Sequence, residues 1–129
     1  MLWYIALGSA AGGVGRYLLG GVIQRWSGGT FPLGTLIINI TGSFLLGCIS
    51  RYATDSAAIS AEMRAMLTIG VCGGYTTFST FSYETASLLR DSDYRRAGIY
   101  VLSSVILSVA ATFLGFATGG GLLSLRRGG

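Results

Sequence analysis

Histidine and lysine are both absent from this chain of 129 residues, and charge of either sign is sparse. All nine basic residues are arginine, set against five Asp and Glu, for a net charge of +4. Without histidine, no Cys/His metal site can be built. The two cysteines, Cys48 and Cys72, both fall inside apolar stretches and read as small packing residues rather than a disulfide. Charged residues make up 11% of the chain, where soluble domains carry about 25%. Neither a Walker loop nor a dinucleotide fingerprint occurs, so ATP-driven transport and redox chemistry have no support. No catalytic constellation points to an enzyme. The amino-terminal apolar run lacks a basic region before it and is interrupted by Arg16, so a cleaved leader is not expected.

What remains is apolar. Mean hydropathy is +0.63 over 13.5 kDa, and the length suits one domain, 1–129. Four stretches are long enough to cross about 30 Å of hydrocarbon: 2–24, 31–50, 65–89 and 97–125. The expected fold is an all-α integral membrane protein of four transmembrane helices, the third broken at its centre. The arginines lie mostly in loops and tails, where they suit lipid headgroups better than nucleic acid.

The third stretch carries the sharpest signal. Gly73-Gly74-Tyr75-Thr76-Thr77 interrupts it and Phe78-Ser79-Thr80-Phe81-Ser82 follows. Backbone that leaves the helix within hydrocarbon exposes N–H and C=O groups, each costing several kcal/mol if unpaired. Protein, water or an ion must satisfy them, so the segment predicts an ion site or a pore.

Arginine placement bears on orientation, which follows the Lys and Arg balance of short loops. With four spans, one side collects Arg51, Arg64, Arg126 and Arg127, and the other Arg25, Arg90, Arg95 and Arg96, with Arg16 inside a span. The balance predicts insertion both ways up. Two opposed copies can then pair about an axis in the membrane plane, as an antiparallel, dual-topology homodimer. Size points the same way, because four short helices cannot both enclose a polar path and shield it from lipid.

The other spans add polar groups. Gly8, Gly12 and Arg16 share one helix face, the glycines suiting close helix packing. Arg16 either snorkels to the headgroups or draws anions into a vestibule. Asn39 is an interhelical hydrogen-bonding residue or presents its NH2 donors to an anion. Phe78 and Phe81 share a face, and aromatic ring edges are positive enough to contact an anion. Glu84, the only carboxylate in a predicted span, is a vestibule residue or a proton carrier. Tyr100, Ser104, Ser108 and Thr112 recur every four residues over about 18 Å. Back-bonding to their own helix is the ordinary role of such hydroxyls; their common register favours a polar track. Neutral donors and ring edges recur and acidic rings are missing, which favours an anion path.

The residues Gly8/Gly12/Arg16-Tyr17, Gly34-Thr35-Leu36 with Asn39 and Gly42, and Gly70 through Glu84 together resemble the Fluc fluoride channels, also called CrcB proteins. The resemblance covers all four spans and is most specific in the third. It implies a multi-pass protein of the cell (inner) membrane that lets fluoride leave passively, through two pores per antiparallel homodimer. By that likeness Asn39, Tyr100, Ser104, Ser108 and Thr112 line the path, Phe78 and Phe81 offer ring edges, and Ser79 and Thr80 add hydroxyls. A structural Na⁺ at the two-fold axis is implied, held by the backbone carbonyls of Gly73 and Thr76 from both copies. By that likeness a smaller or aliphatic residue is expected where this chain has Tyr75, a departure that leaves the backbone-carbonyl reading intact.

Three rivals are separable. A small multidrug antiporter needs a carboxylate in its first span, where this chain has Arg16. A proton-coupled fluoride antiporter would use Glu84 as carrier. In a scaffold or assembly subunit, Asn39 and the hydroxyl row would act only as packing glue.

Overall fold

The computed structural model describes residues 1–128. Those residues form helices α1 (Leu2–Ser27), α2 (Leu33–Asp55), α3 (Ala61–Ala65), a π-helical stretch Met66–Cys72, then α4 (Gly73–Tyr75), α5 (Phe78–Arg90) and α6 (Tyr94–Gly128). Among the described residues there is no strand.

The ends of these helices follow from local chemistry. Gly28, left-handed at φ 66°, terminates α1, a conformation glycine adopts without steric cost. Pro32 precedes α2 and has no side chain with which to cap it. Gln24 takes that role from the preceding helix: its Oε1 accepts from the Gly34 amide at 3.0 Å, while its Nε2 donates to the carbonyls of Gly29 and Phe31. Helix α2 runs to Asp55, five residues beyond the expected boundary at 50. The apolar run ends there, but Arg51 pairs with Asp55 at 2.6 Å one turn apart, which supports the extra turn outside the apolar zone. Helix α6 has 35 residues, about 52 Å of helix. That exceeds a bilayer's hydrocarbon, and arginines stand at both of its ends, Arg95 and Arg96 at one and Arg126 and Arg127 at the other.

The break in the third apolar stretch falls later than the glycine pair suggested. Gly73 and Gly74 remain helical, and the chain leaves the helix at Thr76 (φ −82°, ψ 157°) and Thr77 (φ −150°, ψ 117°). Gly74, with Gly70 one turn earlier, serves close approach to α1. A side chain at Gly74 would meet the Ser9 carbonyl oxygen at 2.6 Å, and one at Gly70 would meet the Gly8 Cα at 2.9 Å. The π-helical turns just before the break were not anticipated; such segments occur often at functional sites.

Small residues also join α2 to α6. A Cβ at Gly115 would sit 2.7 Å from the Cys48 amide nitrogen, and one at Gly119 would sit 2.5 Å from its carbonyl oxygen. Both cysteines are free thiols among packed helices. Helices α2 and α6 have the length and hydropathy of membrane spans. Most large apolar side chains point outward, among them Leu102, Val105, Ile106, Phe113 and Leu114 on α6. Tight small-residue contacts inside and apolar side chains outside are the arrangement of a protein that uses lipid as its solvent.

Candidate functional site

The broken helix is held by one side chain. Asn39, on α2, accepts from the Thr77 amide at 2.8 Å and donates to the Thr77 carbonyl at 3.1 Å. Both exposed backbone groups of that residue are thereby satisfied. Thr77 in turn caps α5, its hydroxyl accepting from the Thr80 amide at 3.2 Å. Thr77 sat within the sequence motif, but nothing in its residue type marked it as the hinge between the helix halves.

These bonds have a consequence for the carbonyls. In an unbroken helix the Gly73 carbonyl would accept from the Thr77 amide, and the Thr76 carbonyl from the Thr80 amide. The first amide is given to Asn39 and the second to the Thr77 side chain. Gly73 and Thr76 therefore present carbonyl oxygens without their helical partners. Gly74, between them, does not: its carbonyl accepts from Arg16 Nε at 3.3 Å. Neutral carbonyl oxygen is a suitable ligand for a hard cation, so the donor set fits a sodium ion. Among the described residues no cluster of three or more His, Cys, Asp or Glu side chains offers another metal site.

Two cavities flank the break and share Thr77 as a wall. The first, about 250 Å³, is lined by Arg16, Thr35, Thr80 and Glu84 among others. Arg16 and Glu84, both singled out in the sequence, line this same cavity between helices. Glu84 accepts a hydrogen bond from the Thr35 hydroxyl at 2.5 Å. Thr35 lay in a quoted motif without an assigned role.

The second cavity, about 270 Å³, brings together Asn39, Phe78, Phe81, Ser104 and Ser108, with Ser43 and Val105 beside them. Phe78 and Phe81 have ring centroids 5.5 Å apart, and Phe81 lies 5.1 Å from the ring of Tyr100. Phe31 meets Tyr100 edge-on at 5.6 Å, completing an aromatic cluster. Phe78 is 78% exposed, so the groove is open on one flank of the chain.

The hydroxyl row divides in two. Tyr100 Oη, Ser104 Oγ and Ser108 Oγ are buried without a hydrogen-bond partner in the chain. Each such orphan costs about 1–3 kcal/mol, and three in a row on one helix face is rare in native interiors. Thr112 differs, donating to the Ser108 carbonyl at 3.1 Å and lying 3.4 Å from the Ser43 carbonyl. Its oxygen is satisfied within the helix pair, the ordinary role for a threonine there. Of the remaining path candidates, Thr80 accepts from the Thr77 hydroxyl at 3.0 Å and lines the first cavity. Ser79 is exposed, its hydroxyl 3.4 Å from that of Thr77.

The family described as "CrcB-like protein, Camphor Resistance (CrcB)" matches residues 3–116. Three similar proteins each carry the name "Fluoride-specific ion channel FluC". That of Opitutus terrae is 44% identical over 125 residues, 95% of each chain. That of Geobacter metallireducens is 47% identical over 114 residues, 88% of this chain and 92% of its own. That of Aquifex aeolicus is 41% identical over 119 residues, 92% of this chain and 96% of its own.

Proposed function

We propose a fluoride channel, and the premise is plain: this chain belongs to the CrcB family. It is a membrane protein and not an enzyme. The observation that carries the reading is the row of partnerless hydroxyls on Tyr100, Ser104 and Ser108, beside the rings of Phe78 and Phe81. A small anion can take those donors and the positive ring edges in place of part of its hydration shell. Because the donors are neutral, they hold the ion weakly enough to release it, which conduction requires. Fluoride, a compact and strongly hydrogen-bonding halide, matches them best.

In this reading fluoride enters from the cavity holding Arg16 and Glu84, passes Thr77 and Thr80, and follows the Phe78–Ser104–Ser108 groove down its electrochemical gradient. Asn39 shapes the turn and keeps its second N–H for the ion. Of the four spans in this reading, α2 and α6 have the hydropathy of one by themselves, and α1 is read as a third from its end residues. Trp3 and Trp26, both exposed, sit at opposite ends of α1, about 35 Å apart along the helix axis, where interfacial aromatics are expected. The remaining span runs from α3 to α5 around the break.

The open flank requires a partner. Phe78 and the polar walls of the groove would otherwise face hydrocarbon. A second, inverted copy covers them and, by symmetry, forms a second pore; the balanced arginines permit such opposed insertion in the inner membrane. The freed carbonyls of Gly73 and Thr76 would hold a structural sodium ion at the centre of that pair, two from each copy. When bound, the ion supplies a fixed positive charge that favours an anion nearby.

A second reading has one observation of its own. Glu84 shares the first cavity with Arg16 and is hydrogen-bonded by Thr35, a placement a proton carrier could use, which makes a proton-coupled antiporter the alternative. Fluoride and chloride efflux from proteoliposomes tests both. Fast fluoride efflux without proton coupling supports the channel, and trapped fluoride would remove it.

A further inference from the structure

Tyr75 separates the two freed carbonyl positions, following Gly73 by two residues and preceding Thr76 by one. Its phenol oxygen lies 2.9 Å from the Thr41 hydroxyl on α2. Thr41 Oγ1 also lies 2.8 and 3.2 Å from the Ile37 and Ile38 carbonyls; with its single proton turned to either, Tyr75 donates to Thr41 Oγ1. The ring is clasped on both sides by glycines. A Cβ at Gly42 would lie 2.9 Å from its Cδ2 and would also strike the Thr76 methyl, and a Cβ at Gly15 on α1 would lie 4.0 Å from Cδ1. A Cβ at Gly12 would meet the Tyr75 amide nitrogen at 2.9 Å. The turn bearing Gly73 and Thr76 is thus fixed from the side by one ring and one hydroxyl-to-hydroxyl bond.

We infer that Tyr75 and Thr41 form a positioning pair that holds the Gly73 and Thr76 carbonyls in their cation-binding arrangement. Neither side chain touches the ion; the pair sets how much ordering the turn undergoes on binding. A ligand set held in advance by packing and hydrogen bonds binds more tightly than one that must be ordered on binding. Tyr75→Phe keeps the ring between Gly15 and Gly42 and removes only the donor. Thr41→Val keeps the β-branched shape and removes the acceptor. The inference rests on the sodium reading above.

The test uses the purified full-length protein in detergent. Its unfolding temperature is followed through Trp3 and Trp26 fluorescence while NaCl replaces N-methylglucamine chloride at constant ionic strength. Sodium that binds only the folded protein raises that temperature with concentration. Expected are a sodium response in the parent, and midpoints about five- to tenfold higher in Tyr75→Phe and in Thr41→Val, the size of one lost hydrogen bond. The double variant should match the singles, because the two substitutions remove the same bond. Variants that are destabilised equally at every sodium concentration, with the parent's midpoint, would overturn the positioning role and leave the sodium site standing. No sodium response in the parent would overturn both.

Discussion

Asn39 and Thr77 face each other across two helices and exchange two hydrogen bonds, amide to amide oxygen and amide nitrogen to carbonyl. That exchange lets the third apolar segment leave its helical path without stranding polar backbone. It also sends the Thr77 N–H away from Gly73, so a single side chain both opens the helix and frees a carbonyl.

Asn39→Ala should therefore destabilise the protein by about 1–3 kcal/mol, the worth of two interhelical hydrogen bonds in a membrane protein. Reversible unfolding in mixed micelles measures the change, and fluoride efflux should fall with it. A variant as stable as the parent would mean that other contacts hold the break.

Phe78 stands on the open flank of the groove, 5.5 Å from Phe81. Phe78→Ile keeps apolar bulk and removes the ring edge. Fluoride flux from loaded liposomes should drop at least about tenfold, equivalent to some 1.4 kcal/mol on the barrier, while elution on size exclusion matches the parent's. Unchanged flux would take Phe78 out of the path.

The hydroxyl row should split by partner. Ser104→Ala and Ser108→Ala remove oxygens that have no partner in the chain. Stability should hold or rise by up to about 1 kcal/mol, and conduction should fall. Thr112→Val removes an oxygen already bonded to the Ser108 carbonyl, and conduction should stay near the parent's rate. Equal effects on flux at all three positions would contradict the division.

Opposed insertion can be tested by biasing charge. Ala57→Lys with Ala58→Lys, in the exposed turn after α2, should lock one orientation and abolish function. Co-expression with a copy carrying Asp91→Lys and Tyr94→Lys, on the other side, should restore it. Full activity of either locked form alone would argue against an inverted pair.

Proton coupling separates channel from antiporter. A pH gradient across liposomes should not drive fluoride uphill, and Glu84→Gln should leave downhill flux pH-independent. Accumulation of fluoride against its gradient would instead assign Glu84 the carrier's role.

Much of the architecture was readable before any coordinates. Long apolar runs, a span with adjacent glycines and hydroxyls, and a four-residue register of Tyr100, Ser104, Ser108 and Thr112 are periodic or compositional signals, and helices report them directly. The structure narrowed or extended the expected bounds where local signals compete. Gly73 and Gly74 looked like breakers because glycine weakens helices, yet both stay helical, Gly74 in close contact with Ser9 of α1, and the break falls at Thr76 and Thr77. The end of α2 ran past its apolar residues because Arg51 and Asp55 pair along it.

By itself the sequence determined that this is an all-helical membrane protein with neutral donors in place of catalytic groups, since chain composition and helical period decide those matters. Only the tertiary structure decided which donors remain free. Ser108 and Thr112 look alike in sequence, but only Thr112 finds carbonyls on α6 and α2. Asn39 offers its amide to any neighbour, and the approach of α2 to the broken segment makes that neighbour Thr77. A hydrogen bond needs two atoms within about 3 Å, and for residues far apart along the chain only the packing of helices brings them there.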